Sequence, residues 1–224
     1  MRALAIGFFL AVLMVAMPLL AQTAIPAGTI LPIQLNSSIN AKKLKTGTVV
    51  TARVMQSIPL SRNRKIPAGA KVIGRVTALD RSNGSVTLRF DTLLCGKRRI
   101  PITTNLRAIA SMMEVEQAQI PETGPDRGTS EYEWITQRIG GESTNLMLLR
   151  VAEKPGARCR GEVADNNRPQ AFWVFSSDAC GAYGFRNLTI AHAGRTEPVG
   201  TITLASSRGD INIRGGSGLL LRVD

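Results

Sequence analysis

Short apolar or alternating runs rich in Val, Ile and Thr recur along the chain from Ile25 onward. Gly, Asn, Asp, Ser and Pro, which favour turns, separate these runs, so the pattern indicates β-strands rather than long amphipathic helices. It predicts strands over residues 30–35, 49–57, 71–80, 85–94, 99–106, 171–176, 187–193, 199–206, 210–214 and 219–223. We therefore expect an all-β fold, either a β-barrel or a sandwich.

Two kinds of turn signal separate the predicted strands. Asn83-Gly84 lies between two of them and favours a tight hairpin turn with positive φ. The segment Ile-Pro-Ala-Gly occurs at residues 25–28 and again at 66–69, each time just before a predicted strand. Proline fixes φ and glycine permits the left-handed conformation, so each copy is suited to reverse the chain. The structural turns predicted on this basis lie at Pro26, Gly28, Pro67 and Gly69.

The remaining pattern sets the domain organisation. Residues 110–170 show no clear period and include the polar stretch 121–130, which we expect to be a surface loop. The sequence thus predicts a single β-barrel domain over residues 22–224, with an irregular loop insertion at about residues 110–170.

An uncharged apolar run covers residues 3–21 and is broken near its end by Pro18. This is typical of a secretory signal peptide, which we predict over residues 1–21 with cleavage after Ala21 or, alternatively, after Thr23. An uncleaved membrane anchor is the competing interpretation, because the run approaches the roughly 20 residues that span a bilayer. In either case we expect an exported protein, periplasmic or extracellular and associated with the cell envelope.

Export predicts an oxidising environment for the three cysteines, Cys95, Cys159 and Cys180. Cys159 and Cys180 both lie in glycine-containing, turn-like surroundings on either side of the predicted strand 171–176, so we expect them to form a disulfide. Closing that loop would stabilise the fold by roughly 3 kcal/mol in the chain-entropy picture. The alternative is three small buried thiols.

Charge is distributed unevenly along the chain. The sequence holds 28 Lys plus Arg and 16 Asp plus Glu, a net charge of +12. Residues 25–107 carry 15 basic side chains against only Asp80 and Asp91. Three runs concentrate the basic residues: Lys42, Lys43 and Lys45; Arg62, Arg64 and Lys65; Lys97, Arg98 and Arg99.

If those runs meet at one end of a barrel, they form a basic patch that binds a partner. The partners we expect are envelope proteins or further copies of the chain, with anionic polymers or lipid headgroups as additional ligands. Specific nucleic-acid binding is disfavoured, because Phe90 is the single aromatic residue in 25–107 and offers no stacking platform. A merely solvated basic surface is the alternative.

Catalytic and metal sites find little support in the sequence. His192 is the one histidine, which rules out a multi-histidine metal centre and leaves a triad only one possible base. Glu131 and Glu133 alternate along one segment, whereas glycosidase carboxylates face each other across a cleft. We predict no catalytic residue, no metal and no cofactor. An exported hydrolase using Glu131, Glu133, Asp178 or His192 is kept as a reserve hypothesis.

An ordered series of glycine and apolar positions runs through residues 25–79. Its members are Gly28, Thr29, Leu31 and Leu35, then Gly47 before residues 49–54, then Ile66, Pro67, Gly69, Val72 and Gly74. This order resembles the start of the β-barrel domain of the TrbI-like family, scaffold proteins of conjugation and type IV secretion machines. Residues 210–223 are similar to that family's closing strand pair. The family's usual membrane helix, proline-rich linker and apolar antenna hairpin are not matched.

The resemblance implies the barrel, its use as an assembly module, and Gly74 as a further structural turn residue. We therefore expect a non-enzymatic β-barrel envelope protein that acts as a scaffold or binding module, related to secretion or conjugation. The alternative is a stand-alone binder of cell-wall or surface polysaccharide, in which Tyr132, Trp134 or Trp173 would supply stacking surfaces.

Overall fold

A computed structural model describes residues 24–61, 63–119, 138–140, 171–176, 179–193 and 197–224. The predicted signal peptide and most of the predicted insertion lie outside these ranges. The described residues form one short helix, α1 (Met112–Gln119), and sixteen strands. The strands are β1 (Ile30–Leu35), β2 (Ile39–Asn40), β3 (Val49–Val54), β4 (Ile58–Ser61), β5 (Arg64–Ile66), β6 (Lys71–Asp80), β7 (Ser85–Cys95), β8 (Arg98–Pro101), β9 (Thr104–Ala110), β10 (Ala171–Phe172), β11 (Phe175–Ser176), β12 (Gly181–Tyr183), β13 (Leu188–Ile190), β14 (Ile202–Ser206), β15 (Asn212–Ile213) and β16 (Gly218–Val223).

One long sheet carries nine of these strands in the order β12, β9, β16, β1, β3, β6, β7, β14, β13, and β8 pairs with β7 beside this path. Only β12 and β9 run parallel among the paired strands described. The described ladder stays open, from β12 at one end to β13 at the other, although residues 184–187 connect these two strands along the chain. The all-β class predicted from the sequence is confirmed.

Three two-stranded sheets accompany the long one: β2 with β15, β4 with β5, and β10 with β11. Among the residues that the structure describes, the helical content is small, because α1 has eight residues. Within the described ranges, no helix has the length and apolar character needed to cross a bilayer.

A single main core lies on one face of the long sheet. Successive strand residues point to opposite faces, and on β6 this buries Val72 and Val76 while Lys71 and Arg75 stay exposed. Every strand of the nine-stranded path contributes a buried apolar side chain to this core cluster. On β6, the alternation read from the sequence therefore corresponds to a buried apolar face and an exposed polar face.

A second, smaller apolar cluster covers the opposite face of β9, β16 and β1. Ala108 and Leu220 of the sheet pack there with Val115 of α1 and Phe175 of β11. All seven residues of β9 are buried, including the polar Thr104, Asn105 and Arg107. A strand covered on both faces does not show the alternation of buried and exposed residues that a half-exposed strand shows.

Four glycine turns tie the ends of two strand pairs. In each turn the glycine has a φ between 82° and 90°. A new strand begins after the turn, and the glycine amide donates a hydrogen bond to a carbonyl of the strand that pairs with this new strand. The donors and carbonyl acceptors are Gly28 to Val223 (2.8 Å), Gly216 to Leu35 (2.8 Å), Gly47 to Val76 (2.8 Å) and Gly69 to Val54 (2.7 Å). The first two close both ends of the β1–β16 ladder, and the last two close both ends of β3–β6. Both Ile-Pro-Ala-Gly segments therefore form turns of the same kind.

Gly74 differs from the other glycines predicted to form turns. It lies within β6 and not at a turn, at an irregularity in the register between β6 and β7. A Cβ at this position would meet the Arg89 carbonyl oxygen and the Phe90 ring. The glycine is needed because the β7 backbone approaches β6 too closely for a side chain.

Several predicted strands are shorter or divided. The predicted strand 99–106 is two strands, β8 and β9, which separate just after Pro101, a residue without an amide donor. The predicted strand 171–176 is a hairpin of β10 and β11, whose turn begins at Trp173 with a φ of 57°. The predicted strand 187–193 contains only the three residues of β13.

Candidate functional site

Cationic side chains occupy the outward positions of four neighbouring strands. Arg53 lies on β3, Lys71 and Arg75 on β6, Arg89 on β7 and Arg99 on β8, and all five are exposed. We call this group the cationic face. It covers the outer side of β3, β6, β7 and β8, opposite the main core.

Strand register places the members of the cationic face beside one another. Arg53 lies directly opposite Lys71 across the β3–β6 ladder. Arg75 lies directly opposite Arg89 across the β6–β7 ladder. Residues in such positions have Cβ atoms about 4.5–5.5 Å apart, and like charges there destabilise a sheet. Leu94 separates Lys71 from Arg99 in the same cross-strand row.

Few groups on this surface offset the positive charge. Arg53 Nη2 donates to Gln34 Oε1 at 2.7 Å. Arg75 Nε donates to Asp91 Oδ2 at 3.1 Å. The described residues provide no side-chain hydrogen bond or ion-pair partner for Lys71, Arg89 or Arg99. An exposed ion pair contributes only about 0.2–1 kcal/mol, so the single Arg75–Asp91 pair leaves most of the charge uncompensated.

Hydroxyl groups, rather than aromatic rings, lie between these cations. Thr51, Thr87 and Thr92 are half-buried on β3 and β7, and Thr87 Oγ1 lies 3.1 Å from Thr203 Oγ1 of β14. The one aromatic residue in β3, β6, β7 and β8 is Phe90, which is buried. The surface is therefore equipped for ionic contacts and hydrogen bonds, and not for stacking.

The predicted basic runs do not share one end of the sheet. We call the end where β1 finishes and β3 begins the upper end, and the opposite one the lower end. Lys42, Lys43 and Lys45 lie at the upper end, between β2 and β3. Because β3 then carries the chain across the sheet, Arg64 and Lys65 on β5 lie at the lower end.

The third run joins the second. Lys97 follows β7, which runs toward the lower end, and Arg98 and Arg99 begin the returning strand β8. Arg62 lies outside the described residues. All described members of the three runs are exposed, and at the upper end Lys42 Nζ lies 3.0 Å from Asp210 Oδ1.

The basic runs visible in the sequence do not include four members of the cationic face, because each is isolated along the chain: Arg53, Lys71, Arg75 and Arg89. The signal that identifies them is the period of two. In β6, for example, the two cations occupy the same side as each other and the opposite side from Val72 and Val76. Their proximity across strands depends on register, which no local pattern contains.

The cysteines occupy different environments. Cys95 is a free thiol at the end of β7 and is half-buried. Burial raises its pKa, and the neighbouring charge of Arg98 acts in the opposite direction. Cys180 is disulfide-bonded. Cys159 lies outside the described residues, so the pairing of Cys159 with Cys180 stays a prediction.

The aromatic residues considered for polysaccharide stacking are only partly described. Trp173 is half-buried against the second cluster, with its ring 6.4 Å from that of Phe175 in an edge-to-face arrangement. Its backbone amide donates to Gln56 Oε1 at 2.5 Å. Tyr132 and Trp134 lie outside the described residues.

The residues of the reserve hydrolase hypothesis are not brought together by what is described. His192 is half-buried in a turn two residues after β13, rather than in a strand. Glu131, Glu133 and Asp178 lie outside the described ranges. Across the residues that are described, no three His, Cys, Asp or Glu side chains form a group able to hold a metal ion.

Comparison with protein-family models found no match for this chain, and comparisons with curated proteins and with solved structures found none either.

Proposed function

We propose that this protein is an exported, non-enzymatic β-barrel module of the cell envelope that binds an anionic polymer along its cationic face. The observation that carries the proposal is the strand register, which places two pairs of like-charged residues directly opposite each other, Arg53 with Lys71 and Arg75 with Arg89. Repulsion within each of these like-charge pairs destabilises the free protein. A ligand with repeated negative charges removes that cost, and it gains ionic contacts on a surface with few carboxylates.

The barrel form is supported by the connection between the two end strands. The link 184–187 spans at most about 17 Å when fully extended. Nine flat strands spaced about 4.8 Å apart would separate β12 from β13 by nearly 40 Å, roughly twice that reach. This short link favours a curled sheet with the main core on its inner face, and it is the observation that supports the proposed barrel form.

A role in secretion or conjugation rests on the resemblance to the TrbI-like family. The glycines that carry the resemblance have clear structural roles. Gly28 and Gly69 form turns of the same kind, and Gly74 allows the β7 backbone to approach β6 closely. The apolar run at residues 3–21 supports export. Fractionation of cells that express a C-terminally tagged chain tests export, and recovery of the tag only in the cytosol would contradict it.

Charge-matched variants test the binding surface. Lys71→Gln with Arg89→Gln removes one member of each like-charge contact, and Lys43→Gln with Lys45→Gln removes the same charge from the upper end. Using isothermal titration with dextran sulfate, we expect the first variant to bind about tenfold more weakly. The second should bind like the parent. Equal losses in both variants would show that net charge alone governs binding and would overturn the proposal.

Stability measurements provide an independent check on the same variant. Because Lys71→Gln with Arg89→Gln relieves two like-charge contacts, its Tm should equal or exceed that of the parent. A lower Tm would mean that these cations stabilise the fold, and the argument for a ligand would fail.

Crosslinking in the native envelope separates the classes of partner. Recovery of the tagged protein with an anionic polymer supports the proposal. Recovery in multiples with secretion-channel proteins would instead support a scaffold built on protein contacts. Binding to anionic vesicles but not to dextran sulfate would identify a lipid surface as the ligand in place of a polymer.

A further inference from the structure

A cleft of about 330 Å³ opens at the upper end of the sheet, away from the cationic face. It lies between the link 184–187 and the segment that connects β14 to β15. This volume is at the lower limit of small-molecule sites, which run from about 300 to 1,000 Å³. The cleft is therefore large enough for a compact organic molecule.

Part of the cleft lining is apolar. Leu188, Ile211 and Ile213 are buried and line it, and Phe185 is half-buried beside them. These side chains also belong to or pack against the main core, so their positions are fixed by the fold. Of the four, Phe185 is the residue with apolar surface left to cover, so a ligand seated there would contact its ring while the three aliphatic side chains support the wall from behind.

The rim of the cleft is positively charged. Arg186 and Arg208 both line it and are exposed. The carboxylate on the rim, Asp210, is already engaged by Lys42 Nζ, at 3.0 Å from Oδ1 and 3.2 Å from Oδ2. Its charge is thereby offset, and the two arginines leave an excess of positive charge at the opening.

Arg208 is oriented by its neighbours. With the Asn187 amide turned to satisfy both contacts, its Oδ1 accepts from Arg208 Nε at 3.2 Å and its Nδ2 donates to Ser207 Oγ at 3.3 Å. The Arg208 backbone amide donates to Ser206 Oγ at 3.4 Å. Fixing Nε leaves the two terminal nitrogens of the guanidinium as a fork, which suits the paired oxygens of a carboxylate or phosphate.

We propose that this cleft binds a small organic anion, a carboxylate or phosphate carried on a compact sugar or apolar body, with Arg208 as the anion-binding residue. The apolar part of the lining, chiefly the Phe185 ring, contacts the sugar or apolar part of the ligand, and the terminal nitrogens of Arg208 bind its charged group. Arg186 adds a second cation at the opening. The proposal is independent of the polymer-binding function, because it uses none of the residues of the cationic face.

Methyl NMR of the purified protein tests the proposal directly. Glucuronate supplies a carboxylate, glucose 6-phosphate supplies a phosphate, and glucose is the neutral control. We expect at least one of the two anions to shift the methyl signals of Leu188, Ile211 and Ile213 saturably, and glucose to leave them unchanged. The anion that binds more tightly identifies the preferred charged group.

Three variants assign the contact. Arg208→Gln should weaken anion binding about tenfold or more, and Arg208→Lys should also weaken it, because lysine keeps the charge but not the fork. Lys43→Gln, at the same end but outside the cleft, should bind like the parent. Absence of saturable shifts with both anions would overturn the proposal, as would equal binding of glucose or equal losses in Arg208→Gln and Lys43→Gln.

Discussion

At the scale of single residues, the carboxylate of Asp80 organises the hairpin between β6 and β7. Its Oδ1 accepts from the amides of Ser82 and Asn83, both at 3.0 Å, and from Ser82 Oγ at 2.5 Å. Its Oδ2 accepts from Asn83 Nδ2 at 2.6 Å. These hydrogen bonds, that from the Ser82 side chain first, lower the pKa of Asp80 from 3.8 to about 2.

The lowered pKa predicts a stability change in acid. Because the folded-state pKa lies below the unfolded value, ionised Asp80 stabilises the fold above about pH 4, and the contribution is lost as the pH falls toward 2. Asp80→Asn should lower the Tm at pH 7 and remove this part of the pH dependence. Thermal unfolding followed by circular dichroism between pH 7 and 2 measures both effects.

Ser82→Ala is the matched control for Asp80→Asn, because it removes one hydroxyl donor and keeps the carboxylate. Its Tm at pH 7 should fall between those of the parent and Asp80→Asn. If the parent and Asp80→Asn gave superimposable curves of Tm against pH, the hydrogen bonds to this carboxylate would not stabilise the turn.

At the scale of elements, the glycines divide into two physical classes. Gly69 has a φ of +82° and nothing within 4 Å of the position of a Cβ, so only its backbone conformation demands glycine. Gly74 has no such φ but lies against the β7 backbone, where a Cβ would stand 2.7 Å from Phe90 Cδ1. The first class is sensitive to the left-handed preference of the residue, and the second to its volume.

These classes predict opposite responses to asparagine. Gly69→Ala should lower the free energy of unfolding by about 1–2 kcal/mol, and Gly69→Asn by less, because asparagine tolerates the left-handed region. Gly74→Ala should cost about 1–3 kcal/mol through overpacking, and Gly74→Asn more still. Urea denaturation of the four variants measures the differences. If Ala and Asn had the same order of unfolding free energies at Gly69 and at Gly74, the distinction between the two classes of glycine would be wrong.

The local sequence pattern was sufficient to predict the bounds of strands that begin after clear turn residues. The predicted strands 30–35 and 71–80 coincide with β1 and β6, because Gly28 and Gly69 mark their beginnings. The pattern was insufficient where strand-like residues continue through a turn. Residues 171–176 show continuous strand character, yet the positive φ of Trp173, a conformation rare for a non-glycine residue, reverses the chain there.

The candidate site was less accessible from sequence than the fold. Basic runs are visible along the chain, but the contact of Arg53 with Lys71 exists only because β3 pairs with β6 in one register. The condition that all three runs meet at one end is not met for a similar reason, since the direction of β3 puts Lys45 and Lys65 at opposite ends. Cleft-lining residues such as Arg208 carry no local signal at all.

At the scale of the whole molecule, the cationic face predicts how binding responds to salt. When a polyanion releases its counterions, log K falls linearly with log salt, with a slope that grows by about 0.7–0.9 for each ionic contact. The slope for Lys71→Gln with Arg89→Gln should therefore be smaller than that of the parent by about 1.4–1.8. Titrations with dextran sulfate between low and physiological salt measure it.

Lys43→Gln with Lys45→Gln is again the comparison, because it loses the same charge at the upper end. Its slope should match the parent's. Identical slopes for both double variants would mean that the polymer contacts the protein without using the cationic face, whatever the change in affinity.

The position of β16 in the sheet bears on when the chain folds. This strand lies between β9 and β1, yet it is the last of the sixteen described strands in the sequence. Until β16 has been made, β9 and β1 therefore lack the strand that pairs with both of them, and the β1–β16 and β16–β9 ladders cannot form. Under the export proposed above, this delay would keep the part of the sheet around β9 and β1 unpaired, and so able to thread through a translocation pore, until β16 has been made.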